Sequence, residues 1–215
     1  MRRLLSFVFV SGLSFAPGVA AAAEAGWIDM LPGPNVAGWT RIAIPPTKPV
    51  SDKQQWSVDS ASHTLICTGD QGHEWLRYDA RQFDNFLYHV EWRFTPIDTP
   101  NPHYNSGVFF RNDKDGVIWH QAQTDSGSGG YIFGQAPVNG ESSRINLAKD
   151  RKGKFEKPAG EWNLYDVRCE GRHCSLTVNG QLSSEGDFEV LKGYLGLEAE
   201  GYLITFREIR VKPLP

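Results

Sequence analysis

The stretch Phe86-Leu-Tyr-His-Val-Glu-Trp-Arg-Phe-Thr95 combines apolar and polar residues with a period of two. Every second residue is aromatic or aliphatic, and the residues between them include His89, Glu91 and Arg93. Side chains of a β-strand point alternately to the two faces of a sheet, so this pattern predicts a strand with one apolar and one polar face. The stretch therefore indicates a sheet that is buried on one side only.

The same alternation recurs along most of the chain, and no stretch keeps a helical stripe of apolar residues for three turns. Further strands are predicted at 55–58, 64–68, 107–112, 117–123, 131–133, 164–169, 174–178, 194–199 and 203–211. About ten short strands without crossover helices favour an all-β, antiparallel architecture of two sheets packed face to face. We predict a jelly-roll sandwich.

The N-terminus has the features of a secretory signal peptide. Two arginines precede an apolar run over residues 4–15, and small residues follow it. Polar residues and a proline interrupt the run, so it is too short to span a bilayer, which takes about 20 apolar residues. We predict a signal peptide over residues 1–23, with cleavage after Ala23 or Ala25 and no membrane insertion. The mature protein would then lie in the periplasm or outside the cell.

The rest of the chain, residues 26–215, has the length of one domain. Loss of the two N-terminal arginines from the 22 Lys plus Arg leaves 20 against 25 Asp plus Glu. This acidic balance gives no reason to expect a nucleic-acid partner. The oligomeric state stays open.

The three cysteines divide into a pair and a single residue. Cys169 and Cys174 flank four residues, a spacing suited to a hairpin, and an oxidising compartment would allow them to form a disulfide. Cys67, in an apolar run, is interpreted as a small buried residue. No His or Cys spacing typical of a metal site occurs, so we expect no cofactor. A calcium ion held by loop carbonyls and an Asp would leave no such spacing in the sequence.

Polar residues at alternate positions of three predicted strands could form one shallow concave surface. They are His89, Glu91, Arg93, Gln121, Gln123, Glu198 and Glu200. Their donors and acceptors match the hydroxyl groups of a sugar. The alternative is that these residues only form the solvated face of an antiparallel sheet.

Five motifs in this order resemble the 3-keto-disaccharide hydrolase family, and the resemblance covers most of the mature chain. They are Tyr88-His-Val-Glu-Trp-Arg93, Asn105-Ser-Gly-Val-Phe-Phe-Arg111, Gly160-Glu-Trp-Asn163, Val178-Asn-Gly180, and Gly196-Leu-Glu-Ala-Glu-Gly201 with Phe206-Arg207 after it. The resemblance implies a concanavalin A-like lectin/glucanase fold. Gln121-Ala-Gln123 departs from the Glu-x-Gln that many members carry, so one carboxylate is missing here.

The resemblance also implies a reaction on glycosides with a ketone at C3 of the sugar. A base removes the acidified C2 proton, the oxygen on C1 is expelled, and water adds to the product. We assign the role of base to Glu91 or His120, and a second acid–base role to Glu200. Arg111 and Asn105 are assigned to stabilising the charge on the ketone oxygen.

Six polar residues are assigned to substrate binding. Gly107 marks a point where the backbone could approach a ligand closely. The binding residues are His89, Arg93, Asn105, Gln121, Gln123 and Glu198.

Two other functions remain open at this point. The first is a non-catalytic, lectin-like carbohydrate-binding module. The second is an ordinary glycoside hydrolase, which is weakened because the chain has no Glu-x-Asp-x-x-Glu run on one strand. The identity of the sugar and its linkage stay open in every case.

Overall fold

A computed structural model describes residues 25–215, so the predicted signal peptide lies outside the described residues. Short strands account for nearly all of the regular structure, with one three-residue 3-10 helix at Pro34–Val36. The strands are β1 Ile28–Asp29, β2 Trp39–Ala43, β3 Trp56–Asp59, β4 Thr64–Cys67, β5 Glu74–Tyr78, β6 Phe86–Phe94, β7 Ser106–Asn112, β8 Trp119–Thr124, β9 Ile132–Val138, β10 Glu141–Asn146, β11 Asn163–Glu170, β12 His173–Val178, β13 Gln181–Asp187, β14 Tyr194–Ala199 and β15 Ile204–Pro213.

These strands form two antiparallel sheets. The first, called the back sheet, has the order β13-β12-β11-β6-β15-β4-β3, with β1 beside β15. The second, called the cleft sheet, has the order β10-β9-β8-β7-β14-β5-β2. The predicted all-β, two-sheet sandwich is confirmed. Within residues 25–215 no helix has the length and apolarity that a membrane crossing requires.

The core lies between the sheets, and β6 shows why the sequence folds this way. Tyr88, Val90 and Trp92 are almost completely buried on its inner face, while Glu91 on the other face is partly exposed. Burial of one large apolar side chain contributes about 1.5–3 kcal/mol, so a one-residue slip of this strand would be costly. Pairing with β11 and β15 on its two sides therefore holds β6 in one register.

Cys169 and Cys174 face each other across the β11–β12 hairpin and form a disulfide, with a Cα–Cα distance of 4.2 Å. The strands extend one pair further, to Glu170 and His173, so the turn has two residues and not the predicted four. Cys67 is buried, and burial raises the pKa of its thiol to about 12. It is therefore not a reactive thiolate at neutral pH.

Candidate active site

A cleft of about 560 Å³ lies on the outer face of the cleft sheet. Its floor comes from β5, β14, β7, β8 and β9, and the loop segments at 44–46 and 116–117 form part of its rim. The volume is typical of a site for a small organic ligand. The two ends of this cleft differ in chemistry.

The acidic end contains His73, Glu198 and Glu200. The imidazole Nε2 of His73 lies 2.8 Å from Oε1 of Glu198 and 3.8 Å from Oε2 of Glu200. Glu198 is 3% exposed, whereas the side chain of Glu200 is about one-third exposed to the cleft. One imidazole thus lies between a fixed carboxylate and an accessible one.

This proximity changes the pKa values of Glu200 and His73. Burial and the charge of Glu198 raise the pKa of Glu200 to about 7, and the charge of His73 only partly opposes this. Burial alone would lower the pKa of His73, but the hydrogen bond to Glu198 and the two negative charges raise it. Proton exchange near neutral pH is what general acid–base catalysis requires.

A chain of amides continues from Glu198 across the floor. Gln121 Nε2 donates to Glu198 Oε2 at 2.7 Å and to Gln123 Oε1 at 3.0 Å, and Gln123 Nε2 donates to Asn105 Oδ1. A carboxylate only accepts hydrogen bonds, so it fixes the orientation of every amide in the chain. The Nδ2 of Asn105 is left as a donor without a partner among residues 25–215.

Two glycines allow this floor to be flat. A Cβ at Gly107 would lie 2.2 Å from Nε2 of Gln121, and one at Gly196 would lie 2.5 Å from the ring of Trp75. The missing side chains let Gln121 cross β7 toward Glu198 and let Trp75 lie over β14. Gly107 is thus a point of close approach to another side chain of the site.

Four aromatic side chains form the apolar end of the floor. Trp75 contacts Phe109, Phe109 contacts Trp119, and Trp119 contacts Phe133, with ring centroids 5.5, 5.9 and 5.5 Å apart in edge-to-face geometry. Trp75 is 1% exposed and Phe109 is 3% exposed, while Trp119 and Phe133 are half-buried. A ligand can therefore reach the last two rings most directly.

The structure brings together five of the residues predicted from sequence, all in this cleft. They are Asn105, Gln121, Gln123, Glu198 and Glu200. His73 was missed, because it precedes β5 in a loop where alternation carries no signal. No sequence spacing could indicate it either, since 125 residues separate it from Glu198.

The prediction that β6 contributes to the same concave surface is wrong, because β6 belongs to the back sheet. There Glu91 accepts a hydrogen bond from Arg207 at 2.6 Å, and His89 bonds to Asp166 at 2.7 Å. The guanidinium of Arg93 stacks over the ring of Trp162. His89, Glu91 and Arg93 therefore contact residues on the outer face of the back sheet. None of the three lines the cleft.

His120 does not reach the cleft either. It is fully buried between the rings of Phe110 and Phe188, because alternation along β8 turns Trp119 and Gln121 outward and His120 into the core. Burial lowers its pKa to about 4. It therefore has no contact with a substrate and cannot act as the base.

Arg111 lies in the interior, so the prediction that it contacts the ketone oxygen of the substrate is also wrong. Its guanidinium is 0% exposed and donates to the carbonyl oxygens of Asp84 at 2.7 Å and Val190 at 3.1 Å. Arg111 has a φ of +50°, and the β7–β14 register shifts at this point. The alternation that turns Phe109 to the cleft therefore does not continue to Arg111.

We expect Arg111→Met to lower stability and to leave chemistry nearly intact. Loss of the buried guanidinium removes the donor of the Asp84 and Val190 carbonyl oxygens and its packing in the interior, which should lower the free energy of unfolding by about 2–4 kcal/mol. Urea unfolding measures this loss, with the exposed Arg168→Met as control. Turnover by the folded variant should stay within about threefold of wild type, a change of about 0.7 kcal/mol at most in the activation free energy. A hundredfold loss of turnover with unchanged stability would return Arg111 to the site.

The acidic end could also hold a metal ion. Ligand atoms of His73, Glu198 and Glu200 all lie within 4.8 Å of one another. Imidazole and carboxylate are common ligands of divalent cations.

A family model described as a 3-keto-alpha-glucoside-1,2-lyase-like domain matches residues 26–212. No curated protein matches the chain significantly in sequence.

Two solved structures share the fold. The carbohydrate binding module CBM66 from Bacillus subtilis has a TM-score of 0.58 at 17% identity, over 81% of this chain and 95% of its own. A protein from Parabacteroides distasonis ATCC 8503, provisionally named a glycosyl hydrolase, has a TM-score of 0.61 at 15% identity, over 88% of this chain and 94% of its own. The predicted lectin/glucanase-type jelly roll is confirmed. At such identities these two structures inform the fold alone.

Proposed function

Because the chain belongs to the family of 3-keto-alpha-glucoside-1,2-lyase-like domains, we propose that it cleaves glycosides whose sugar carries a ketone at C3. The reaction is abstraction of the C2 proton, elimination of the group on C1, and hydration. Carbohydrate is the ligand class that this family implies. The predicted signal peptide assigns the activity to the periplasm or to the outside of the cell.

The observation that carries the proposal is the arrangement of His73, Glu198 and Glu200 at one end of the cleft. Glu200 is accessible and has a pKa of about 7, so near neutral pH a large fraction of it is a carboxylate that can accept the C2 proton. Glu198 is held by His73 and Gln121; its hydrogen bond orients the imidazole, and with the two negative charges it raises the pKa of His73. His73 can then protonate the departing oxygen.

The reaction needs a third group, one that stabilises negative charge on the C3 oxygen. When Glu200 takes the C2 proton, the electrons of the C–H bond form a C2–C3 double bond and leave the charge on that oxygen. We assign its stabilisation to Asn105, whose Nδ2 is oriented by the amide chain from Glu198. Donors fixed before the reaction contribute more than donors that must first reorient.

The later steps balance the bonds. The enolate re-forms the ketone, a double bond forms between C1 and C2, and the C1–O bond breaks as His73 gives its proton to the leaving oxygen. Water then adds its hydroxyl to C1 and its proton to C2, and the proton held by Glu200 returns to His73 through solvent, which restores both groups. The net products are the free 3-keto sugar and the free leaving group.

An ordinary two-carboxylate glycosidase mechanism fits this site less well. It needs one carboxylate free to attack C1, or to activate water, and a second one as the acid. Glu198 is 3% exposed, and its two oxygens accept from His73 and Gln121. Among the carboxylates of residues 25–215 that line this cleft, Glu200 is the accessible one.

Incubation with 3-oxidised and unoxidised forms of the same disaccharides tests the proposal. We expect release of free sugar only from the oxidised forms. In D2O the 3-keto product should carry deuterium at C2, since that proton returns from solvent. Authentic product incubated with the enzyme under the same conditions corrects for exchange after cleavage. Cleavage of the unoxidised disaccharides at the same rate would contradict the proposal.

The binding-module alternative is kept because the fold is shared with CBM66. It predicts saturable binding of 3-keto or ordinary saccharides in the cleft, detected by NMR titration, without any release of sugar. That outcome would replace the enzymatic proposal.

A further inference from the structure

The apolar end of the cleft, which contains Trp75, Trp119 and Phe133, also presents hydrogen-bond donors. The acidic end presents carboxylate oxygens, which are acceptors, and it would receive the hydroxyl groups of the 3-keto sugar. The donors at the apolar end are the indole N–H of Trp75, the amide NH2 of Asn112 and the guanidinium of Arg144. The inference below rests on the proposed function, since it concerns the leaving group of the same reaction.

Two buried donors that line this cleft lack an acceptor. Trp75 Nε1 and Asn112 Nδ2 have no hydrogen-bond partner among residues 25–215, and both side chains are 1% exposed. A buried donor without a partner is unfavourable, and a ligand acceptor that reaches these two donors from the cleft would satisfy them. Gly116 borders Trp75, where an added Cβ would lie 2.8 Å from Nε1, so a side chain at position 116 would cover this donor.

Arg144 adds a positive charge at the same end. Its guanidinium lies 4.0 Å from the ring centroid of Phe133 and 4.8 Å from that of Trp119. The side chain is exposed, and in the described part of the chain it forms no ion pair or hydrogen bond. Stacking on the rings holds the planar guanidinium in place, which favours bidentate recognition of a planar anion.

The charge of His73, the other basic side chain lining the cleft, is already matched by Glu198. Arg144 is therefore the cation available to a ligand in this cleft, among residues 25–215. An anion drawn to it would also be kept away from the two carboxylates at the acidic end.

We propose that this donor end, formed by Trp75, Asn112, Trp119, Phe133 and Arg144, binds a leaving group that carries a carboxylate. A carboxylate only accepts hydrogen bonds, so it complements an indole N–H, an amide NH2 and a guanidinium together. The exposed parts of Trp119 and Phe133 pack against the body of the leaving group. The substrate class is thus 3-keto glycosides of acids, where the acid is either a uronic acid or an aromatic acid.

Two matched pairs of 3-keto glucosides test the charge and separate the two sources. One pair has 4-hydroxybenzoate or 4-hydroxybenzamide as leaving group, and the other has glucuronate or glucose. We expect kcat/KM for the acid to exceed that for the neutral partner by about tenfold in at least one pair, the effect of one charge-assisted contact. The pair that shows the preference identifies the source of the carboxylate.

The variant Arg144→Gln should reduce this acid-to-neutral ratio to about one, whereas the control Arg168→Gln, on the back sheet, should keep it. Equal turnover of acid and neutral substrates by wild type would overturn the inference while leaving the proposed function intact. So would an equal loss for both substrates in Arg144→Gln.

Binding of the free acids separates this inference from the proposed function. NMR titration with 4-hydroxybenzoate and glucuronate, against 4-hydroxybenzamide and glucose, requires no turnover. Shifts at Trp119 and Phe133 for an acid only, lost in Arg144→Gln, support the carboxylate site even if no 3-keto glycoside is cleaved. Identical shifts for acids and neutral analogues would contradict it.

Discussion

Glu200→Gln is expected to lower turnover of a 3-keto glycoside by about 10²- to 10⁴-fold, the contribution typical of a positioned acid–base group. The amide keeps the size of the side chain but cannot take the C2 proton. Initial rates on the oxidised disaccharide measure the loss, and Glu170→Gln, in an exposed hairpin of the back sheet, is the matched control. Turnover by Glu200→Gln within about threefold of wild type would remove Glu200 from the base role.

The pH dependence supplies a second readout of the same substitution. Glu200 acts as a base when deprotonated, so wild-type kcat/KM should rise through about pH 7, the pKa of this group. Stability should move in the opposite sense. A carboxyl whose pKa is raised from 4.5 to about 7 in the folded state stabilises the fold below pH 4.5, and this contribution is lost as pH rises toward 7. The melting temperature of wild type relative to Glu200→Gln should therefore fall over that range.

Gly107→Ala is expected to lower turnover by about a hundredfold although it adds a single methyl group outside the reacting atoms. The new Cβ would lie 2.2 Å from Nε2 of Gln121, so Gln121 must leave its place over β7. Its bonds to Glu198 and Gln123 are then lost, and with them the orientation of Asn105. Loss of one preorganised donor typically costs 10²- to 10³-fold in rate, and we expect about the lower value.

A double-mutant cycle shows whether Gly107 acts through Gln121. Gln121→Ala should cause a similar loss, and Gly107→Ala combined with Gln121→Ala should lose little more than either alone. Thermal melts followed by circular dichroism check that each variant folds. Additive losses in the double variant would mean that Gly107→Ala disturbs the sheet itself, and the amide chain would lose its assigned role.

Ten of the fifteen strands within residues 25–215 could be predicted from sequence because the alternation is a local property, whereas β1, β2, β5, β10 and β13 were not predicted. A strand exposes every second side chain to each side whatever its neighbours are, so the aromatic positions of β6 indicated the core face. The pairing of Cys169 with Cys174 is equally local, since a short hairpin places its two ends side by side. Alternation also separates His120 from Gln121, as adjacent residues of one strand point to opposite faces.

Only the tertiary structure decided which polar faces meet. Glu91 and Gln121 both alternate with core residues, but β6 joins the back sheet and β8 the cleft sheet, so their polar faces lie on opposite sides of the sandwich. Strand order depends on pairing between segments far apart in sequence, which a period of two does not encode. His73 belongs to the site through its position beside Glu198, not through any motif of its own. A loop residue of this kind carries no periodic signal, so only the packing of β5 against β14 places it at the acidic end of the cleft.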